Sequence, residues 1–280
     1  MSASQGTVAQ ALLAAKALGV DRLDAQLLLL QVLQKPHVNR AWLLAHDGDP
    51  VPAQNWQDFL ALCQRRIAGE PVAYLTGHKE FYGLNLQVDA RVLVPRPDTE
   101  TLVDWALEVL ADVQQPRVLD LGTGSGAIAL AIKHHRPDAH VDAVDASLHA
   151  LDVARANAHR LHLDVCFRHC HWLAGASGLY HAIVSNPPYV AVGDPHLRAL
   201  GHEPVQALVS GPDGLDDVRH IGAHAPGYLH PGGWLLLEHG HDQAAAVRAI
   251  LAEAGLSGIG CRSDLAGIER CSGARLPALG

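Results

Sequence analysis

The sequence predicts an α/β protein: a Rossmann-like, mostly parallel sheet preceded by a small helical bundle, with a β-hairpin between them. Three observations carry this prediction. From Arg117 onward, short apolar runs alternate with helical patterns, which is the mark of βαβ units and a parallel sheet. Before about residue 75, apolar residues recur at helical spacing. Between the two lies a pair of alternating stretches, broken by Pro95-Arg96-Pro97. The expected domains are a helical one at 1–75, a hairpin linker at 76–97 and an α/β domain at 98–280.

In the first domain, residues 7–18 place Val8, Leu12 and Ala15 on one helix face, with Gly19 as the stop. Asp21 starts a second helix, with Asp24 three residues on in a capping-box-like pair, and Leu23, Leu27, Leu30 and Leu33 form its expected buried face. Lys35-Pro36 ends it. Ala41–Ala45 is a short helical piece, and a longer helix from Pro52 to Ala68 carries Trp56, Leu60 and Leu62. Basic and acidic residues balance up to Leu75. A neutral bundle with apolar faces suits docking of a protein partner better than reading nucleic acid.

The hairpin is expected from the alternation of Phe81–Asp89 and of Arg91–Val94, with its turn near Asp89-Ala90. Asp98 or Thr99 is placed to cap a helix over about 100–112, with Leu102, Ala106 and Leu110 inward. Val118–Leu121 is the first strand of the parallel sheet, Gly122–Gly126 the turn after it and Ala127–His135 the helix. Val141–Asp145 is the second strand, followed by a helix at Ala146–Leu161 and a third strand near Asp164–Arg168. Ala182-Ile183-Val184 is the fourth, and Gly233–Glu238, after a helix around 214–229, the fifth. A helix near 242–254 and two short strands close the sheet. The Pro- and Gly-rich stretch 193–214 is expected to be a loop able to cover a site.

Composition sets limits on function. A net charge of −8 without a basic run argues against a broad nucleic-acid surface. No apolar run approaches the ~20 residues of a membrane span, and the first residues lack the basic start and apolar block of a signal peptide. Five cysteines without a regular framework suit a reducing cytoplasm. Cys166, His169, Cys170 and His171 form the tightest Cys/His cluster, but their spacing fits no common zinc pattern, so a strand and loop are expected there and no metal.

Two motifs carry chemistry. Gly122-Thr123-Gly124-Ser125-Gly126 follows a strand and opens a helix, which lets backbone approach a ligand and leaves helix N–H groups free. Asp145, about twenty residues on at the end of the next strand, is placed to take both hydroxyls of a ribose. No Walker lysine follows the turn, and the shortened G-x-G-x-G form is that of S-adenosylmethionine enzymes. The second motif is Asn186-Pro187-Pro188-Tyr189, at a strand's C-terminal edge on a stiff proline support. The Asn186 amide oxygen and the Pro187 carbonyl are acceptors for a planar –NH₂, and the Tyr189 ring packs on its plane. Such a nitrogen is a poor nucleophile because its lone pair is delocalised. Acceptors aimed at its hydrogens stabilise the positive charge that develops during attack, which is oxyanion-hole logic with the sign reversed.

Several segments together resemble one family. They are Asp24-Ala25 in a leucine-rich helix, Glu80-Phe81-Tyr82-Gly83, Val94–Glu100, Asp120–Leu130, Ser185–Tyr189 and Leu237-Glu238-His239-Gly240. Over nearly the whole chain the sequence resembles the HemK/PrmC family, protein-(glutamine-N5) methyltransferases that act on peptide chain release factors. The resemblance implies a class I S-adenosylmethionine methyltransferase sheet, with S-adenosylhomocysteine as the product of the cofactor. It implies that Gly122–Gly126 wrap the methionine end, Asp145 takes the ribose, Trp172 flanks the adenine, and Asn186–Tyr189 hold the glutamine of the Gly-Gly-Gln tip of class 1 release factors. The helical domain would grip the rest of that partner, and the enzyme is expected to act as a monomer. One position departs: the family usually has an acidic residue before the tryptophan, and here it is His171. A neutral imidazole accepts the adenine amino hydrogen, and a protonated one does not. Two other readings share the acceptor motif: a ribosomal-protein glutamine methyltransferase, and an adenine-N6 nucleic-acid methyltransferase acting on a flipped base.

Overall fold

In the computed structural model, which describes residues 4–35 and 40–278, the chain forms two units. One is Met1–His78 with Ala199–His202, the other Lys79–Arg198 with Glu203–Gly280. The first contains β1 (Ser4–Thr7), α1 (Val8–Ala17), α2 (Arg22–Val32), α3 (Ala41–Ala45), β2 (Pro50–Pro52), α4 (Ala53–Ile67) and α5 (Val72–Thr76). Thr7 and Gln10 form a capping box at the start of α1. The Asp21 carboxylate accepts from Leu23 N–H at 2.8 Å and caps α2. Asp24 takes no part in that cap: its carboxylate receives Arg66 Nε at 2.7 Å and ties α2 to α4. The buried face of α2 also differs from the expected one. Ala25, Leu28, Leu29 and Leu30 are inside, while Leu23 and Leu27 are exposed. A helix with leucine on every side has no unique apolar stripe, so its neighbours choose the face. Pro36, part of the stop expected after α2, lies outside the described residues.

The second unit opens with β3 (His78–Phe81) and β4 (Leu84–Gln87), an antiparallel hairpin. Its turn is at Tyr82-Gly83, both with positive φ, and not at Asp89-Ala90 as the alternation suggested. Two positive φ values in a two-residue loop match the right-handed twist of the strands, but a tyrosine in the first position hides the usual signal. Arg91–Val94 is not a second strand: Val94 N–H donates to the Glu203 carboxylate at 3.0 Å instead of to a ladder.

Then follow α6 (Glu100–Val109), β5 (Arg117–Leu121), α7 (Ala127–His135), β6 (His140–Asp145), α8 (Leu148–Leu161), β7 (Cys166–His169), β8 (Tyr180–Ser185), α9 (Asp216–His224), β9 (Leu229–Glu238), α10 (Ala244–Glu253), β10 (Ser257–Ser263) and β11 (Glu269–Arg275). The seven strands lie in the order β10-β11-β9-β8-β5-β6-β7. The five from β9 to β7 are mutually parallel, β11 runs antiparallel to β9, and β10 runs antiparallel to β11. The inner strands β5, β6 and β8 bury their apolar residues on both faces, as a sheet covered by helices requires, while the edge strand β7 leaves Phe167 half-buried. The order reverses between β5 and β8. At such a switch point the loops leave in opposite directions and open a crevice at the strands' carboxyl ends.

Candidate active site

Strand register assembles the site. Leu121 of β5 pairs with Val144 of β6 and with Ser185 of β8, and Ser185 in turn pairs with Leu237 of β9. The next residue on each strand is therefore Gly122, Asp145, Asn186 and Glu238, in one row along the sheet's carboxyl edge. The Ser185 hydroxyl donates to Leu121 C=O at 2.7 Å and ties β8 to β5 at the switch point.

The glycine turn is fixed from several sides. Gly122 has φ +69°, and a Cβ there would come within 3.2 Å of the Trp172 ring. Its positive φ favours glycine, and a side chain there would press on the ring. Gly122 and Thr123 N–H groups each donate to Val144 C=O at 2.9 Å. Below the turn, the Thr123 hydroxyl donates to the Asp120 carboxylate at 2.6 Å, and Ala129 N–H donates at 3.2 Å. The amide of Asn157, fully buried on α8, donates to Ser125 C=O at 3.0 Å and exchanges hydrogen bonds with the Gln87 backbone. One Asp120 oxygen has no partner among the described residues. Burial pushes that carboxyl up to about 7, against the hydrogen bonds from Thr123 and Ala129.

Asp145 accepts Gly124 N–H at 2.9 Å on one oxygen and Ser147 N–H at 2.8 Å on the other. Burial raises its pKa, and those two N–H groups hold the rise down. Each oxygen keeps a further lone pair for a ligand hydroxyl. Trp172 stands after β7 with φ +47°, an uncommon conformation for a bulky residue. Its indole N–H donates to Asp217 of α9 at 3.1 Å. His171, next to it, is exposed.

Asn186 is held by Thr99. The Asn186 –NH₂ donates to the Thr99 hydroxyl oxygen at 3.3 Å, while Asn186 Oδ1 is buried and has no partner among the described residues. Thr99 stands at the start of α6, yet its side chain makes no cap hydrogen bond, and neither does Asp98 supply one. The expected cap is absent, because Thr99 has helical backbone and ends a turn, Pro97–Thr99, that runs directly into α6. Glu238 is almost fully buried, with one oxygen unpartnered. Burial pushes its carboxyl up to about 7, with hydrogen bonds from Thr99 and Asn186 and the charge of Arg270 acting the other way. Tyr189 is fixed through its backbone: its C=O accepts Gln243 Nε2 at 3.0 Å, and a Cβ on Gly214, with φ +75°, would lie 2.1 Å from that oxygen. Burial pushes the Tyr189 hydroxyl up to about 12, so it stays protonated.

A cavity of about 660 Å³ joins these residues, within the size range of small-molecule sites. Of the residues expected from sequence, Gly122, Gly124, Asp145, Trp172, Asn186 and Pro188 line it. Thr123, Ser125, Gly126, Pro187 and Tyr189 are neighbours of these in sequence and are not in the lining itself. Pro204, Gln206 and Ala207, from the loop expected to cover a site, are in its wall. His171 and Asp217 also line it, one on either side of Trp172 in the sequence of elements, so an acidic acceptor is present although His171 replaces the usual one. The sequence marked Thr99 only as a possible helix cap, and neither Asp217 nor Glu238 as a site residue. Thr99 and Glu238 did lie in quoted family segments, which was the available signal; Asp217 had none. Among the described residues no group of three or more His, Cys, Asp or Glu could hold a metal ion. The Cys166–His171 segment is a strand and loop, in which His169 Nε2 lies 2.9 Å from Ala146 C=O.

The site can be compared with known proteins. Residues 7–77 match the PrmC N-terminal domain, and residues 99–207 match the methyltransferase small domain. A release factor glutamine methyltransferase of Xylella fastidiosa (strain Temecula1 / ATCC 700964) is 48% identical over 271 residues, covering 95% of this chain and 98% of that protein. A protein of the same name from Burkholderia pseudomallei is 48% identical, covering 92% and 93%. Among solved structures, a methyltransferase from Pyrococcus furiosus matches with a TM-score of 0.53 at 18% identity, over 77% of this chain and 98% of that one, which shows a shared fold. The likeness runs through both units and nearly the full length of each relative, and the chain belongs to the release factor glutamine methyltransferase family.

Proposed function

We propose that this protein methylates the side-chain amide nitrogen, N5, of the glutamine in the Gly-Gly-Gln motif of class 1 peptide chain release factors. The observation that carries the reading is the Asn186 amide oxygen, an acceptor with no partner beside the cavity on a strand end braced by two prolines.

The residues present fit S-adenosylmethionine. Gly122 leaves room where a Cβ would press on Trp172, Asp145 offers two oxygens with lone pairs to spare, and Trp172 presents an aromatic face in the same cavity. Asp145 would hold the ribose hydroxyls, the Gly122–Gly126 turn the methionine end, and Trp172 with His171 or Asp217 the adenine. When bound, the cofactor supplies an electrophilic methyl group on a sulfonium. The chain's own part is to receive and orient the amide. Asn186 Oδ1 and the Pro187 carbonyl accept the two N–H hydrogens. Positive charge grows on the nitrogen during attack, so these acceptors favour the transition state over the ground state. They are fixed before the reaction, so little reorganisation is needed. The Tyr189 ring holds the amide plane, and its high pKa keeps a second negative charge away from Glu238.

The helical unit is assigned to gripping the release factor, on its apolar helix faces and balanced charge. We assign the enzyme to the cytoplasm on its five free cysteines, and to action as a monomer because one unit supplies every residue lining the cavity. No described helix is long and apolar enough to cross a membrane. The test is mass spectrometry of a release factor incubated with this protein and S-adenosylmethionine. One added methyl group on the Gly-Gly-Gln peptide is expected. Methylation of a ribosomal protein or of nucleic acid, with the release factor unchanged, would overturn the reading.

A further inference from the structure

An amide side chain presents its oxygen or its –NH₂ depending on which way it is turned, and only its neighbours decide. For Asn186 those neighbours are Thr99 and Glu238. Register places Glu238 beside Asn186, one residue beyond the paired Ser185 and Leu237. Thr99 comes from the start of α6, is buried, and receives the Asn186 –NH₂ at 3.3 Å. Its hydroxyl hydrogen is then free to donate to the Glu238 carboxylate, which also attracts the Asn186 –NH₂. In this arrangement the –NH₂ end faces two acceptors. With Glu238 ionised, turning the amide over would set its oxygen against a carboxylate and bring the –NH₂ into the substrate's place. Thr99 ends the turn Pro97–Thr99, which runs straight into α6 with helical backbone, so its hydroxyl is not needed as a helix cap.

We propose that Thr99 and Glu238 are positioning residues that lock the Asn186 amide with its oxygen toward the substrate, and that this lock makes the enzyme prefer a glutamine over a glutamate. A glutamine –NH₂ meets an acceptor and is bound. A glutamate carboxylate, itself acceptor-only, meets the same oxygen and is rejected. The inference rests on Asn186 being the amide acceptor assigned above.

The test uses the full chain saturated with S-adenosylhomocysteine and two titrants: a release factor carrying Gly-Gly-Gln, and its Gly-Gly-Glu form. Single-turnover methylation of the Gln form is measured alongside. Thr99→Val keeps the shape and removes the acceptor. It should lower the single-turnover rate about 3–10-fold, the worth of one net hydrogen bond, and shrink the Gln-over-Glu binding ratio by a similar factor. S-adenosylhomocysteine affinity should be unchanged. Thr99→Ser restores the hydroxyl and should recover both rate and ratio. Glu238→Gln presents a donor as well as an acceptor, so neither amide orientation is favoured, and the binding ratio should again shrink. This variant carries the test if Thr99→Val does not fold. An unchanged ratio in Thr99→Val, or in Glu238→Gln, overturns the lock. So does a loss in Thr99→Val that Thr99→Ser fails to restore, which would mean packing alone. Asn186→Ala separates the two levels of the argument: a parental rate there overturns the site itself, whereas a slow Asn186→Ala with a parental Thr99→Val overturns only the lock.

Discussion

Replacing Asn186 by alanine removes one fixed acceptor from the site. Elsewhere the –NH₂ makes one long contact to Thr99 at 3.3 Å and faces the buried Glu238 carboxyl, so its loss should cost the fold about 1–3 kcal/mol. Asn186 Oδ1 has no partner among the described residues, and no part of its capacity is spent on structure. Losing the oxygen should therefore appear in the reaction, while losing the –NH₂ accounts for the smaller change in stability. Taking away one preorganised hydrogen-bonding group at a developing charge costs roughly 10²–10³ in turnover, about 2.7–4 kcal/mol, in the oxyanion case, and the same range is expected here. Asn186→Asp keeps the oxygen but sets a second carboxyl beside buried Glu238. Two such groups share a proton, because adjacent negative charges resist ionising together. While the pair holds that proton, an oxygen still faces the substrate. Asn186→Asp should thus retain more activity than Asn186→Ala and lose it as pH rises and the shared proton leaves. The assay is single-turnover methylation of a release factor at saturating cofactor, followed across pH, with thermal melts run on the same samples. An Asn186→Ala protein that melts normally and reacts as fast as the parent would refute the reasoning.

Asp145→Ala should weaken S-adenosylmethionine binding about tenfold or more, since charge-assisted hydrogen bonds are worth roughly 1.5–3 kcal/mol each, and calorimetric titration with an unchanged dissociation constant would remove Asp145 from the site. Asp120, raised by burial to about 7, binds a proton in the folded chain that it releases in the unfolded one, so its contribution to stability is fully present below about pH 4 and declines as pH rises to about 7, by on the order of 4 kcal/mol. Asp120→Asn should flatten that decline in denaturant midpoints measured without ligand, and an identical pH slope in both proteins would show that the carboxyl ionises freely in the fold. A chain starting at Lys79, where the second unit begins, should bind S-adenosylhomocysteine in calorimetry like the full protein but lose activity on an intact release factor. Full activity of that shortened chain would show that the helical unit does not grip the substrate.

Much of the site was legible locally. Gly122–Gly126, Asp145 and Asn186-Pro187 are all strand endings, and a strand ending is written in adjacent residues: an apolar run followed by glycines, a carboxylate or prolines. Those signals need no partner, and the structure puts each at the carboxyl end of its strand. Three things depended on distant contacts. The exposed and buried faces of α2 were decided by its neighbours, because leucines occupy every side of the helix. The hairpin turn fell at Tyr82-Gly83 because the Tyr82 N–H donates to Glu100 at 3.0 Å, eighteen residues away, and so supports a backbone conformation that tyrosine rarely adopts. Thr99 and Glu238, far apart along the chain, meet at Asn186 only because β8 lies between β5 and β9. Local residues thus determined where each strand ends and what chemistry it carries. The choice of which strands lie side by side, made by burial over the whole sheet, decided which of those ends share one site.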